Sequence, residues 1–256
     1  ERVQRGATRP LILRKIGIGD TWRSITAREF YDEVHALAAG LIARGLEPGD
    51  RVAIMSRTRY EWTLLDFACW AAGLVPVPIY ETSSIDQVAH VLVDADVHLI
   101  ITETVSMAEI VRAAAERENR DNTHVLSMDS EAIETLIAEG SATPRERVLA
   151  RSEALTKDDI ATIVYTSGTT GNPKGAIRSH EGAALLALVT EVELGIHRRD
   201  GALLVMPMCH ANSLNFFGAF SYCGGETAIY SRKSFDPEHC VRTLAEGGST
   251  FTSRSE

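Results

Sequence analysis

The sequence predicts an α/β protein whose strands and helices alternate to build largely parallel sheets, and three observations carry that expectation. Short apolar runs occupy residues 51–56, 75–79, 97–102 and 124–128. Stretches with helical apolar spacing separate them at residues 60–72, 84–94 and 106–118. No internal repeat or low-complexity segment interrupts this rhythm, so strand, helix, strand units with right-handed crossovers are expected.

Taken in order, Thr26 and Glu29 form a capping box, and Phe30, Val34, Leu37, Ala38, Leu41 and Ile42 mark one helical face that ends at Gly45. Residues 62–79 carry a single charge, Asp66, over a length that suits a membrane span. Gly73 and two following prolines argue instead for a buried helix turning into a strand. Ser84 is placed to cap the next helix. Gly140, Ser141 and Pro144 break the alternation over residues 139–159, which predicts a linker between a first subdomain, 1–150, and a second, 151–256. Beyond it, helices are expected at 181–195, 213–222 and 236–246, and strands at 202–206 and 226–230.

Composition limits the function classes. The chain has 256 residues, is 45% hydrophobic and 24% charged, and carries a formal net charge of −9 with a pI near 5.4. That balance speaks against a nucleic-acid or acidic-membrane surface, which needs clustered Lys and Arg. Cys69, Cys209, Cys223 and Cys240 form no C-x-x-C pair, which with the lack of a signal-peptide pattern predicts reduced thiols in the cytoplasm. Cys209-His210 and His239-Cys240 do not follow a recurring zinc spacing.

Chemistry concentrates at Tyr165-Thr166-Ser167-Gly168-Thr169-Thr170-Gly171-Asn172-Pro173-Lys174-Gly175. The apolar run 160–165 reads as a strand, and the Thr/Ser/Gly cluster stops it where backbone N–H groups can turn toward an anion. Thr166, Ser167, Thr169 and Thr170 add hydroxyl donors, Gly168 and Gly171 allow close backbone approach, and Lys174 adds a positive charge. This is not the G-x-x-x-x-G-K-[ST] loop of P-loop NTPases: Pro173 precedes the lysine, Gly175 follows it, and residues 176–180 read as a second strand.

Residue for residue, the segment resembles the signature loop of the adenylate-forming superfamily: acyl-CoA synthetases, luciferases and peptide-synthetase adenylation domains. Residues 22–79, with Leu46-Glu47-Pro48-Gly49-Asp50 and Val75-Pro76-Val77-Pro78-Ile79, look like the family's N-terminal region. Pro207-Met208-Cys209-His210 stands where the family has a proline and a histidine at the acyl pocket. The resemblance implies an acid–thiol ligase using ATP, Mg²⁺ and CoA, with a carboxylic acid as substrate. Val75 to Ser84 favours fatty acids, whereas the stretch from Met206 to Tyr230 looks more like members handling shorter or unusual acids. It further implies that Thr166 contributes to holding magnesium, that Lys174 acts on the departing pyrophosphate, and that His210 with Asn212 lines the acyl carboxylate site; capping explains Asn212 equally well. Motifs the family carries later, an aromatic-Gly-x-Thr-Glu magnesium segment and a C-terminal lysine among them, are missing from these residues. The expectation is the incomplete N-terminal domain of such a ligase, inactive alone, with an exposed edge that promotes self-association; the alternative is a fragment acting only as a binding module for ATP or an acyl group.

Overall fold

The computed structural model describes residues 4, 6–16, 21–120, 122–166, 172–231, 235–246 and 249–252. The chain forms two compact units, a first of Glu1–Glu33, Arg57–Thr63 and Glu181–Glu256, and a second of Val34–Ser56 and Leu64–His180. Their architecture is the α/β alternation expected from the sequence, with largely parallel sheets.

In the second unit, β3 (Arg51–Met55), β4 (Val75–Ile79), β5 (Val97–Thr102) and β6 (His124–Ser127) form a parallel sheet in the order β4-β3-β5-β6. Its inner strands read as unbroken apolar runs because both faces are covered. All five residues of β4 are buried, yet two are prolines. An edge position tolerates them, because Pro76 and Pro78 remove N–H groups on alternate residues without breaking the ladder to β3. The Thr162 hydroxyl donates to the Pro76 carbonyl at 3.0 Å.

Helix α1 (Ala27–Ala43) starts at the expected capping box: Glu29 accepts from the Thr26 N–H at 2.8 Å, and the Thr26 hydroxyl accepts from the Glu29 N–H at 3.2 Å. Helix α2 spans Tyr60–Ala71. Helix α3 (Ile85–Asp94) has a complete capping box between Ser84 and Gln87, and helix α4 (Val105–Arg117) begins one residue before the expected span because Thr104 is its cap. Val88, Ala89, Val91 and Leu92 of α3 pack with Val111 and Ala114 of α4 and with Met55, Val77, Ile79 and Ile100 of the sheet. Two further helices, α5 (Ala132–Glu139) and α6 (Arg145–Ala154), follow. The second lies in the middle of the span read as a linker; it buries only Val148, so its sequence lacks an apolar stripe.

Two strands, β7 (Ile160–Thr166) and β8 (Lys174–Ser179), pair antiparallel as a separate ribbon in this unit. In the first unit, β1 (Pro10–Ile16), β2 (Thr21–Thr26), β9 (Gly201–Leu204), β10 (Glu226–Ile229) and β11 (Phe251–Thr252) form a sheet in the order β11-β9-β10-β1-β2. Only the β1–β2 pairing in it is antiparallel. Helices α7 (His180–Leu194), α8 (Ala211–Cys223) and α9 (Pro237–Glu246) complete the order. Leu203, Ala228, Tyr230 and Cys240 form a small core, with Trp22, Val205 and Leu244 against it. No helix among the described residues is long and apolar enough to cross a membrane.

Candidate functional site

The β7–β8 ribbon carries the signature segment. Val164 pairs with Ala176, Tyr165 with Gly175, and Thr166 with Lys174, the last pair before the connection. Ser167, Gly168, Thr169, Thr170 and Gly171 lie outside the described residues. Directly opposed residues of an antiparallel pair send their side chains to one face, so the Thr166 hydroxyl and the Lys174 ammonium leave the ribbon together. Both residues are exposed. A hydroxyl donor beside a mobile point charge is a combination suited to phosphate oxygens.

The stems of this connection are tied to α3. The Tyr165 hydroxyl donates to Asp94 Oδ2 at 2.6 Å, and His90 Nε2 lies 2.7 Å from the Pro173 carbonyl. A carbonyl can only accept, so Nε2 carries the proton. The His90 and Tyr165 rings meet edge to face, centroids 5.9 Å apart. Burial, and secondarily the bond to Asp94, push the Tyr165 hydroxyl above its ordinary range. Gly175 makes room for that ring: a Cβ there would sit 2.9 Å from Ile163 Cγ2 and 3.2 Å from Tyr165 Cζ. Neither His90 nor Asp94 stands out from sequence alone; the available signal is two polar residues one turn apart among the apolar residues of the helix's last two turns.

At the ribbon's base, Trp70 Nε1 donates to the Ala161 carbonyl at 2.6 Å, and its ring lies 5.6 Å from that of His180. Burial lowers the His180 pKa, opposed by Asp159. Nearby on α2, Asp66 is buried and its Oδ1 has no hydrogen-bond partner among the described residues. Burial pushes this carboxyl up to about 7, against the pull of Arg178. Burial, then the Asp66 charge, push the Cys69 thiol up as well.

His210 and Asn212 belong to the first unit. The His210 N–H donates to the Pro207 carbonyl at 3.0 Å, and the Thr58 hydroxyl bridges the turn, donating to Met206 O and accepting from Met208 N at 3.1 Å each. His210 is the N-cap of α8, its Nδ1 accepting the Asn212 N–H at 3.2 Å. The cap is thus the histidine, and Asn212 supplies the backbone donor. An accepting Nδ1 leaves the proton of a neutral ring on Nε2, the nitrogen pointing away from the cap.

The profile of the AMP-binding enzyme family matches residues 1–253. The chain therefore belongs to the AMP-binding enzyme family, and its fold is that of the N-terminal part of adenylate-forming enzymes. Over 160 residues it is 42% identical to long-chain-fatty-acid–CoA ligase FadD15 of Mycobacterium bovis, covering 62% of this chain and 27% of that protein. It is 27% identical over 249 residues to the mitochondrial medium-chain acyl-CoA ligase ACSF2 of Danio rerio, covering 88% and 41% of the two. Among solved structures, the Klebsiella oxytoca NpsA N-terminal subdomain with 3-hydroxyanthranilyl-AMSN matches with a TM-score of 0.77 and 27% identity, over 98% of this chain and 56% of that one. The long-chain-fatty-acid-CoA ligase FadD1 of Archaeoglobus fulgidus shares the fold, with a TM-score of 0.81 at 19% identity over 97% and 48%. The chain spans less than half the length of these curated relatives.

Proposed function

We propose that this chain is the nucleotide-facing part of a cytoplasmic, ATP-dependent acyl-CoA synthetase with fatty acids as its substrate class. The observation that carries the reading is the Thr166 and Lys174 pair, which share one face at the mouth of the hydroxyl- and glycine-rich connection. Ligases named for long- and medium-chain acids among the relatives support the substrate class.

In the reaction, a carboxylate oxygen attacks the α-phosphorus of ATP, the bond to the bridging oxygen breaks, and pyrophosphate leaves with the electron pair. The CoA thiolate then attacks the acyl carbonyl and AMP departs. Lys174 neutralises charge gathering on pyrophosphate, while the hydroxyls of Thr166, Ser167, Thr169 and Thr170 and the amides of Gly168 and Gly171 donate to the β- and γ-phosphates. His210 Nε2–H, with Asn212 beside it, donates to the acyl carboxylate. Mg²⁺, which withdraws charge from phosphate oxygens when bound, takes about six oxygen ligands. Thr166 offers one neutral hydroxyl, which fits a ligand shared with nucleotide and water.

The 256-residue chain is expected to bind ATP in competition with pyrophosphate, and calorimetry should find binding roughly thirtyfold weaker in Lys174→Ala. Acid-dependent exchange of labelled pyrophosphate into ATP by this chain alone would end the view that it binds without turnover, and would leave adenylation standing. Acid-independent release of inorganic phosphate would overturn adenylation itself.

A further inference from the structure

We propose that helix α3 positions the two stems from which Thr166 and Lys174 reach toward phosphate, through His90 on the Pro173 carbonyl and Asp94 on the Tyr165 hydroxyl. The inference rests on the adenylation reading above and names residues that act on that site without touching ATP.

Four observations converge on it. His90 and Asp94 are four residues apart in α3, so they lie on one helix face, a turn from each other. Their partners bracket the signature connection. Tyr165 directly precedes Thr166, and Pro173 directly precedes Lys174. Each tie is therefore one residue from a proposed phosphate contact, and because Thr166 and Lys174 are register partners, fixing both neighbours fixes the spacing of the two backbones from which hydroxyl and ammonium leave. The two ties also touch, through the edge-to-face His90 and Tyr165 rings, and Gly175 leaves the space the tyrosine ring needs to reach Asp94.

The position of Asp94 argues against a role in helix stability. It is the last residue of α3, at the negative end of the helix dipole, where a carboxylate is unfavourable. Its cost to the helix is offset by the bond it makes to the ribbon. Stems fixed in advance spare ATP the entropy of ordering them on binding.

ATP titrations and thermal melts of Tyr165→Phe, Asp94→Ala, His90→Ala and the double variant Tyr165→Phe/Asp94→Ala test the inference, with deuterium exchange of residues 172–176 measured without nucleotide. ATP affinity should fall roughly tenfold in each single variant. The double variant should bind no more weakly than Asp94→Ala, since both changes remove one bond. Asp94→Ala should melt no lower than the parent while binding ATP less well, a split that a purely structural residue would not show. His90→Gln, which keeps an N–H donor, should recover most of the affinity lost in His90→Ala.

Exchange at 172–176 should quicken in all the alanine variants. If the parent binds ATP while Tyr165→Phe and Asp94→Ala bind it equally well, the positioning role is overturned and adenylation is kept. If the parent binds no ATP, the adenylation reading fails. In that case faster exchange in the variants still supports anchoring of the stems by α3, and unchanged exchange overturns it.

Discussion

The two sheets are assembled over different sequence distances. In the second unit, β3 pairs with β4 and β5, the strands that follow it in order, and β5 pairs with β6. In the first unit, β1 pairs with β10, and the Thr227 hydroxyl reaches the Leu11 carbonyl across 216 residues. Local strand and helix signals suffice to anticipate the first kind of sheet, because consecutive strands joined by helices become parallel neighbours. They cannot anticipate the second, since nothing near Leu11 marks its distant partner.

The largest test of this contrast lies where the second unit is tightest. A Cβ on Gly40 would sit 2.0 Å from the Leu136 carbonyl oxygen, and one on Gly140 would sit 2.4 Å from the Gly40 nitrogen, so α1 and α5 meet backbone to backbone. Gly40→Val must force apart helices that the paired Arg44 and Glu139 side chains, at 2.7 and 2.8 Å, also hold. Its expected cost exceeds about 4 kcal/mol in urea unfolding. Gly45→Ala, at a φ of 83° in open space, should cost about 1–2 kcal/mol from backbone strain alone. Equal costs would mean that the helix contact yields easily.

What could be read in advance follows the same division. The capping box at Thr26 and the cap at Ser84 were legible because each closes within three residues. The two strands of the signature ribbon were legible because a β-branched run meets a glycine-rich stop. Helix α6 was not, because one buried residue leaves no periodicity to detect. The ties from α3 to the ribbon span 71 and 83 residues, and no local pattern announces them. Residue types single out Thr166 and Lys174 as candidates; only the register brings them to one face.

A second, smaller effect separates the ribbon's base from the rest of the second unit. Asp66 titrates near 7 when folded, against an ordinary value near 3.8. The unfolded chain releases this proton first as pH rises, so the folded state loses stability between about pH 4 and pH 7, with a slope approaching 1.4 kcal/mol per pH unit, and the loss levels off above that window. Glu29 and His180 have lowered pKa values and give slopes of opposite sign. Asp66→Asn keeps the side-chain volume and removes the titration. The stability difference between parent and variant, from urea melts at pH 5, 6, 7 and 8, should therefore shift in favour of the variant up to pH 7 and then hold constant. A pH-independent difference would show that the carboxyl ionises as freely folded as unfolded.

The smallest expected effect lies on α7 in the first unit. Leu185, Leu188, Val189 and Val192 recur there at helical spacing, yet they are 57%, 41%, 45% and 68% exposed, and Ala187 is the buried residue. With apolar residues on every side, the helix is evident from sequence but its buried face is not. Val192→Lys keeps a side chain compatible with a helix and removes little covered surface, so it should change stability by less than about 0.5 kcal/mol. Ala187→Lys forces a charge into the packed side and should cost several times more, about 2 kcal/mol or above. Urea midpoints for the pair decide between the two faces. If Val192→Lys were the costlier change, the apolar stripe of α7 would be a covered surface in solution, and the contrast between a packed second unit and an open α7 would have to be given up.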